Sequence, residues 1–273
     1  LCFFFLMIRR PARSTLFPYT TLFDLAGQGK GAPPTEFGYI YKLDDTGNID
    51  WSKFYTNKDS IDYKFSATKV LGNGEILVAG NAANFRFGGF KLTTPTMYDN
   101  FLNIGKLDEN GNPIWNAALL FDSIAYTENS FYVTSIQVKG NDAYVIFNYY
   151  NNIEGLNEAG IVSIDVNSGT VNWIKGYSLA TEAADINSHS SLILNNNLTF
   201  SYDTYGDWSG TGLITIDDIG NIINYTGFVE EIGNSSFLYD IQPTQDGGAI
   251  AIGNLSTGEG TMIYKTDKLL KTY

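Results

Sequence analysis

The chain has 273 residues, of which 44% are hydrophobic and 17% charged. That composition supports a packed core, so disorder is not the default. A formal charge of −12 argues against nucleic acid and against an anionic membrane surface as partners, since both are met by basic patches.

The first 25 residues differ from the rest. They hold the only cysteine, Cys2, and three of the four arginines, Arg9, Arg10 and Arg13. Removing them takes away three of the 17 bases and one of the 29 acids, so the remainder carries −14. The order is wrong for a signal peptide, because the arginines follow the apolar run LCFFFL. The apolar run is also too short to cross a membrane, which takes about 20 residues. The stretch MIRRPARSTLFPYTTLF (7–23) resembles the in-frame translation of a short-read sequencing adapter. That resemblance implies that residues 1–25 are an artefact with few contacts to the body, that 26–36 (AGQGKGAPPTE) is a linker, and that the folded body spans 37–273. It further implies that the chain was cut before its first complete structural unit.

From residue 39 a pattern repeats: YIYKLDDTGNIDW (39–51), LNIGKLDENGNPIW (102–115), GIVSIDVNSGTVNW (160–173) and GLITIDDIGNIINY (212–225), with a partial fifth copy at 261–273. Its aspartates are Asp44, Asp108, Asp165, Asp217 and Asp267, separated by 64, 57, 52 and 50 residues. A motif recurring at such a period marks a repeat architecture. In each copy an alternating apolar strand ends in Asp, whose side chain accepts from the backbone N–H two residues on. A glycine follows, Gly47, Gly111, Gly169 or Gly220, suited to the positive φ of a hairpin bulge. A second strand then places a large ring, Trp51, Trp115, Trp173 or Tyr225, on a face that must be buried.

Between motifs lies a second hairpin: 67–81, 135–149, 191–203 and 240–254, each two alternating strands about a Gly, Asn or Asp turn. Four antiparallel strands per repeat, without an amphipathic helix, predict an all-β fold: a β-propeller of four-stranded blades. Three blades are complete and two partial, so the ring is open or truncated. A β-sandwich would explain the strands but not the phased repeat.

The copy GIVSIDVNSGTVNWIKGY (160–177) resembles a blade of pyrroloquinoline-quinone-type propellers, whose repeat runs aliphatic-x-A-L-D-x-x-T-G-x-x-x-W. KLDENGNPIW (106–115) and DGGAIAIGN (246–254) are similar to repeats in secreted bacterial propellers that often end in a type IX sorting domain. The resemblance covers about 37–270. It implies innermost strands near 65–71, 132–138, 189–194 and 238–244, second strands near 75–80, 143–149, 198–203 and 248–253, the Asp-ending strands third and the Trp/Tyr strands outermost. It also implies a secreted or cell-surface location.

Catalytic signals are sparse. His189 is the sole histidine, and no zinc, nucleophile-elbow or phosphate-loop motif occurs. DDTGN (44–48) and DENGN (108–112) space oxygen side chains like part of a calcium loop. They lack the distal closing acid and read as hairpin turns. A quinone cofactor site of the resembled family uses charged residues and often vicinal cysteines; a body with no cysteine and one arginine predicts no cofactor and no metal.

The segments between second and third strands, 81–100, 148–159 and 203–211, vary in length and carry exposed-type aromatics. Variable loops on a rigid frame usually hold binding residues. The candidate ligand contacts are Phe85, Arg86, Phe87, Tyr149, Tyr150, Tyr205, Asp207 and Trp208, suited to a sugar ring or a peptide. The expected function is a non-catalytic protein- or glycan-binding module. The alternatives are an enzyme propeller, dehydrogenase or lyase, with catalytic groups in further blades, and a structural adhesin stalk.

Overall fold

Each repeat turn is closed by its aspartate. In a computed structural model, which describes residues 23–30, 36–44, 46–55, 63–83, 100–119, 131–151, 156–177, 185–205, 210–228, 236–255 and 260–268, Asp44 Oδ1 accepts from the backbone N–H of Thr46 at 2.9 Å and of Asn48 at 2.8 Å. Gly47, at φ +87°, donates its N–H to the Asp44 carbonyl at 3.0 Å. Asp108 and Asp217 close the same turn through Asn110 and Asn112, and through Ile219 and Asn221. At Asp165 the turn is one residue longer, because its N–H donates to the carbonyl of Thr170 rather than to that of the residue four on. These bonds hold the carboxylates in their ionised form. Asp44 is lowered to about 2, chiefly by Thr46, and Asp108, Asp165 and Asp217 are lowered chiefly by the backbone N–H groups of Asn112, Ser168 and Asn221.

The turns link eighteen strands into five antiparallel sheets, each a meander in chain order. The first sheet is β1 (Phe23–Lys30), β2 (Glu36–Leu43) and β3 (Ile49–Tyr55). The second is β4 (Tyr63–Val70), β5 (Ile76–Ala83), β6 (Asn100–Leu107) and β7 (Pro113–Leu119). The third is β8 (Phe131–Lys139), β9 (Asp142–Asn151), β10 (Leu156–Asp165) and β11 (Val171–Tyr177). The fourth is β12 (Asp185–Leu194), β13 (Asn197–Tyr205), β14 (Gly210–Ile216) and β15 (Ile222–Phe228). The fifth is β16 (Ser236–Pro243), β17 (Ala249–Leu255) and β18 (Thr261–Lys265). The first strands β4, β8, β12 and β16 are neighbours in succession, so the sheets fan outward from them as the blades of a β-propeller. No comparable contact joins the first sheet to the fifth among the described residues, and the ring is open.

Strand β1 departs from the sequence reading. It pairs with β2 from Phe23↔Leu43 to Lys30↔Glu36, over residues assigned to the end of the leader and to the linker. Backbone pairing beside an existing strand needs little from the side chains, so Gly-rich sequence gave no strand signal there. Residues 1–22 and 31–35 lie outside the described residues.

The core is four separate interfaces, one per pair of blades. Alternation on the middle strands supplies both sides of each blade. Leu77 and Ala79 face the third blade with Val145 and Phe147, whereas Ile76 and Val78 face the first with Ile40 and Tyr55. Tyr144 and Ile146 meet Leu198 and Phe200 at the next joint, and Leu213 and Phe228 meet Leu238 and Ala249 at the last.

The tryptophans lock these joints. Trp51 Nε1 donates to the Glu109 carbonyl at 3.0 Å, Trp115 to that of Val166 at 2.9 Å, and Trp173 to that of Asp218 at 2.9 Å. Each acceptor is the residue after the next repeat's aspartate. The ring covers that repeat's glycine so closely that a Cβ on Gly111, Gly169 or Gly220 would lie 2.7–2.9 Å from it. Four residues on, Tyr55 and Tyr177 donate to the carbonyls of Gly111 at 2.8 Å and Gly220 at 3.0 Å.

Tyr225 is not the fourth member of this series. Trp51, Trp115 and Trp173 pair with Lys42, Lys106 and Ser163, each two residues before its aspartate. The corresponding Thr215 pairs with Asn224. The motif spacing of eight from Asp165 to Trp173 includes the extra turn residue. The Asp217 turn is short, so the same spacing overshoots by one and Tyr225 faces the other way. Its ring stacks on Tyr202 at 5.3 Å, and their hydroxyls are hydrogen-bonded.

Candidate functional site

Strands β4, β8, β12 and β16 each carry one extra residue near the middle. The register jumps at Ser66 in β4, at Thr134 in β8, across His189 and Ser190 in β12, and at Tyr239 in β16. Such bulges re-aim side chains and commonly lie beside functional sites. In β12 the displaced pair builds a polar cluster. His189 Nε2 lies 2.6 Å from Asp203 Oδ2, with the Asp203 side chain 1% exposed and that of His189 29% exposed. Ser190 Oγ donates to Asp240 Oδ1 at 2.8 Å, tying β12 to β16. Ser201 Oγ accepts from the Ser190 N–H at 3.0 Å, which is the backbone group that the bulge would otherwise leave unpaired.

On the other side of β12, Asn148 acts as a replacement strand edge. Its Oδ1 accepts from the Ser188 N–H at 2.7 Å and its Nδ2 donates to the Ser188 carbonyl at 3.0 Å. Ser135 and Ser191 hydroxyls meet at 2.7 Å across the same joint. The cluster therefore sits on a frame fixed from both neighbouring blades. A buried carboxylate beside an imidazole orients the ring, which suits recognition of a polar ligand or proton transfer.

The meander order sorts the connections by face. The strand ends at 55, 83, 119, 151, 177, 205, 228 and 255, from which the longer segments leave, share one face of the arc. The tight turns at 44–48, 71–75, 108–112, 140–141, 165–170, 195–196, 217–221 and 244–248 share the opposite face. Tyr149, Tyr150 and Tyr205 stand at strand ends on the first face, in two successive blades. Tyr149 is not free to bind through its hydroxyl as it stands, because that group donates to Glu158 Oε2 across the hairpin, and Glu158 is buried. Phe85, Arg86, Phe87, Asp207 and Trp208 lie outside the described residues.

Sequence reasoning noted His189 as the sole histidine, placed it among packed or channel-lining residues, and did not find its partners. Asp203 is fourteen residues away and Asp240 lies in the next blade, so no linear motif joins them. The one available signal was the run SHSS (188–191), four polar residues inside a strand whose counterparts alternate. Among the described residues no three His, Cys, Asp or Glu side chains cluster in a way that could hold a metal ion, and no helix is long and apolar enough to cross a membrane.

Solved structures share the architecture. A sucrose-6-phosphate hydrolase from Lactobacillus gasseri matches with a TM-score of 0.52 at 14% identity, over 91% of this chain and 59% of that one. A quinohemoprotein alcohol dehydrogenase from Pseudomonas putida matches at 0.46 and 12% identity, over 91% and 40%. The Nup133 β-propeller domain of Vanderwaltozyma polyspora matches at 0.34 and 9%, over 91% and 70%. The chain thus spans 59% of the length of the hydrolase it matches, and at this identity the likeness is one of fold. No protein family matches the sequence, and no curated protein does.

Proposed function

We propose that this propeller is a secreted or cell-surface binding module that takes a protein or glycan ligand on the face from which its longer connections leave. The observation that carries this reading is the sorting of the described tight turns to one face and of the strand ends from which the longer segments leave to the other, with the His189–Asp203 and Ser190–Asp240 cluster on β12, β13 and β16 between them. A rigid frame with one variable face is the usual arrangement of a recognition surface. The indole-locked joints support reading the blades as the pyrroloquinoline-quinone type; they bear on architecture and not on a cofactor. Glycan and protein arrays probed with the chain test the proposal. Binding that falls about tenfold or more in His189→Ala and Asp203→Asn is expected; no binding on either array, with turnover of a substrate instead, refutes it.

A second reading rests on the His189–Asp203 pair alone. A buried carboxylate that orients an imidazole is half of a general-base arrangement, and an enzyme would draw its remaining groups from further blades. Hydrolytic or dehydrogenase turnover abolished in His189→Ala separates this reading from the first.

A further inference from the structure

Among the described residues, the fourth joint has an open notch where the others have an indole. Across each blade a row of three side chains runs through the second, third and fourth strands: Leu77, Lys106 and Trp115 in the second blade, and Tyr144, Ser163 and Trp173 in the third. The row in the fourth blade is Thr199, Thr215 and Asn224. All three are small and polar, and they cannot fill the space that a ring fills elsewhere. The result is an open notch of about 300 Å³ on the tight-turn face, lined by this row with Leu194, Asn195, Asn197, Ile223 and Lys268.

The backbone carbonyl that would receive the indole N–H is already taken. Lys268 follows Asp267 as Glu109 follows Asp108, and its carbonyl accepts from Asn195 Nδ2 at 2.9 Å. Asn195 spends its other amide hydrogen on the Gly247 carbonyl at 3.3 Å, from a turn in which both Asn195 and Asn196 have positive φ. The sequence after Asp267, KLLK, also lacks the glycine that the indole covers in the other repeats. Both halves of the indole joint are therefore replaced together, and the joint is closed instead by Asn195 and by Phe228 stacked on Tyr264 at 4.3 Å.

We propose that this notch binds a single sugar ring or another small polyhydroxylated ring. Its volume is at the lower end of ligand pockets. The Asn195 amide oxygen remains to accept, and Asn197 gives one amide hydrogen to the Asn195 carbonyl and keeps its oxygen and second hydrogen. The Thr215 hydroxyl, bonded to Thr199 at 2.9 Å, adds a group that both donates and accepts. Leu194 and Ile223 offer the apolar surface for a ring's C–H face. Sugar hydroxyls each donate and accept, and match this wall. An indole offers one donor, and its acceptor here is occupied.

The site is on the opposite face from the binding surface proposed above and does not depend on it. The test uses the 273-residue chain made in a bacterial host, titrated with glucose, galactose, mannose, xylose and N-acetylglucosamine at millimolar concentrations. The side-chain amide resonances of Asn195 and Asn197 are followed by NMR. Saturable shifts with at least one sugar are expected, weakened about tenfold or more by Asn224→Trp and about threefold or more by Thr215→Val. Should Asn224→Trp fail to fold, Thr215→Val decides. No shift with any of the five, undiminished binding in the variants, or shifts with N-acetyltryptophanamide in place of any sugar overturns the proposal.

Discussion

Gly220→Ala and Gly47→Ala form a matched pair that isolates the energy of the indole joint. Both glycines close the same kind of turn, at φ +79° and +87°. A Cβ at Gly47 meets nothing within 4 Å, whereas one at Gly220 lies 2.9 Å from Trp173 and 3.0 Å from Lys175. The backbone cost of a left-handed alanine, about 1–2 kcal/mol, is common to both. Gly220→Ala adds the collision. The indole is rigid and its N–H is held by the Asp218 carbonyl, so it can move aside only by giving up that bond, and overpacking of this kind costs about 1–3 kcal/mol. Gly220→Ala should therefore destabilise by about 2–5 kcal/mol and Gly47→Ala by about 1–2 kcal/mol. Urea unfolding followed by far-ultraviolet circular dichroism measures both. In a Trp173→Ala background the two substitutions should cost the same, a coupling of about 1–3 kcal/mol between Trp173 and Gly220. Equal losses in the unmodified background would show that the indole does not restrain the turn.

Other consequences follow from the same joints. Tyr177→Phe leaves the Gly220 carbonyl without its hydroxyl partner in a buried setting and should cost about 1–3 kcal/mol in the same urea assay. Burial raises the Tyr177 and Tyr202 phenols well above their ordinary range and pushes Tyr144 up to about 12. The neutral ring is favoured on folding, so this stability is present below pH 10 and is lost as pH rises beyond it; alkaline unfolding tracked with phenolate absorbance reads the effect. The turn aspartates act in the opposite sense. Their lowered values add stability above about pH 4 that fades as pH falls, toward about 2 for Asp44, and NMR titration of the carboxyls against the urea midpoint checks the match. Ser190→Ala removes a bond between β12 and β16 and should loosen the last blade selectively, seen as faster hydrogen exchange in β16 and β17 than in β8 and β9.

The blades are legible in the chain. An aspartate that accepts from backbone N–H groups two to four residues on, a glycine at positive φ and period-two alternation act over a few residues, so their pattern shows in the sequence. The strand order within a repeat and the placing of tight turns and longer segments follow from that local chemistry. What lies between blades was decided by tertiary structure. The reach of Trp115 to the Val166 carbonyl spans 51 residues, and nothing local to Trp115 names its acceptor. One extra residue in the Asp165 turn shifts the counting frame, which is why Tyr225 resembles a docking ring in sequence and Asn224 holds the position in space. A one-residue slip in a strand sends a side chain to the opposite face. The strand at 23–30 formed because β2 offered an unpaired edge, and the His189–Asp203 pair formed because a bulge turned two residues of β12 at once. These features depend on which edges and faces meet, and that is a property of the assembled blades.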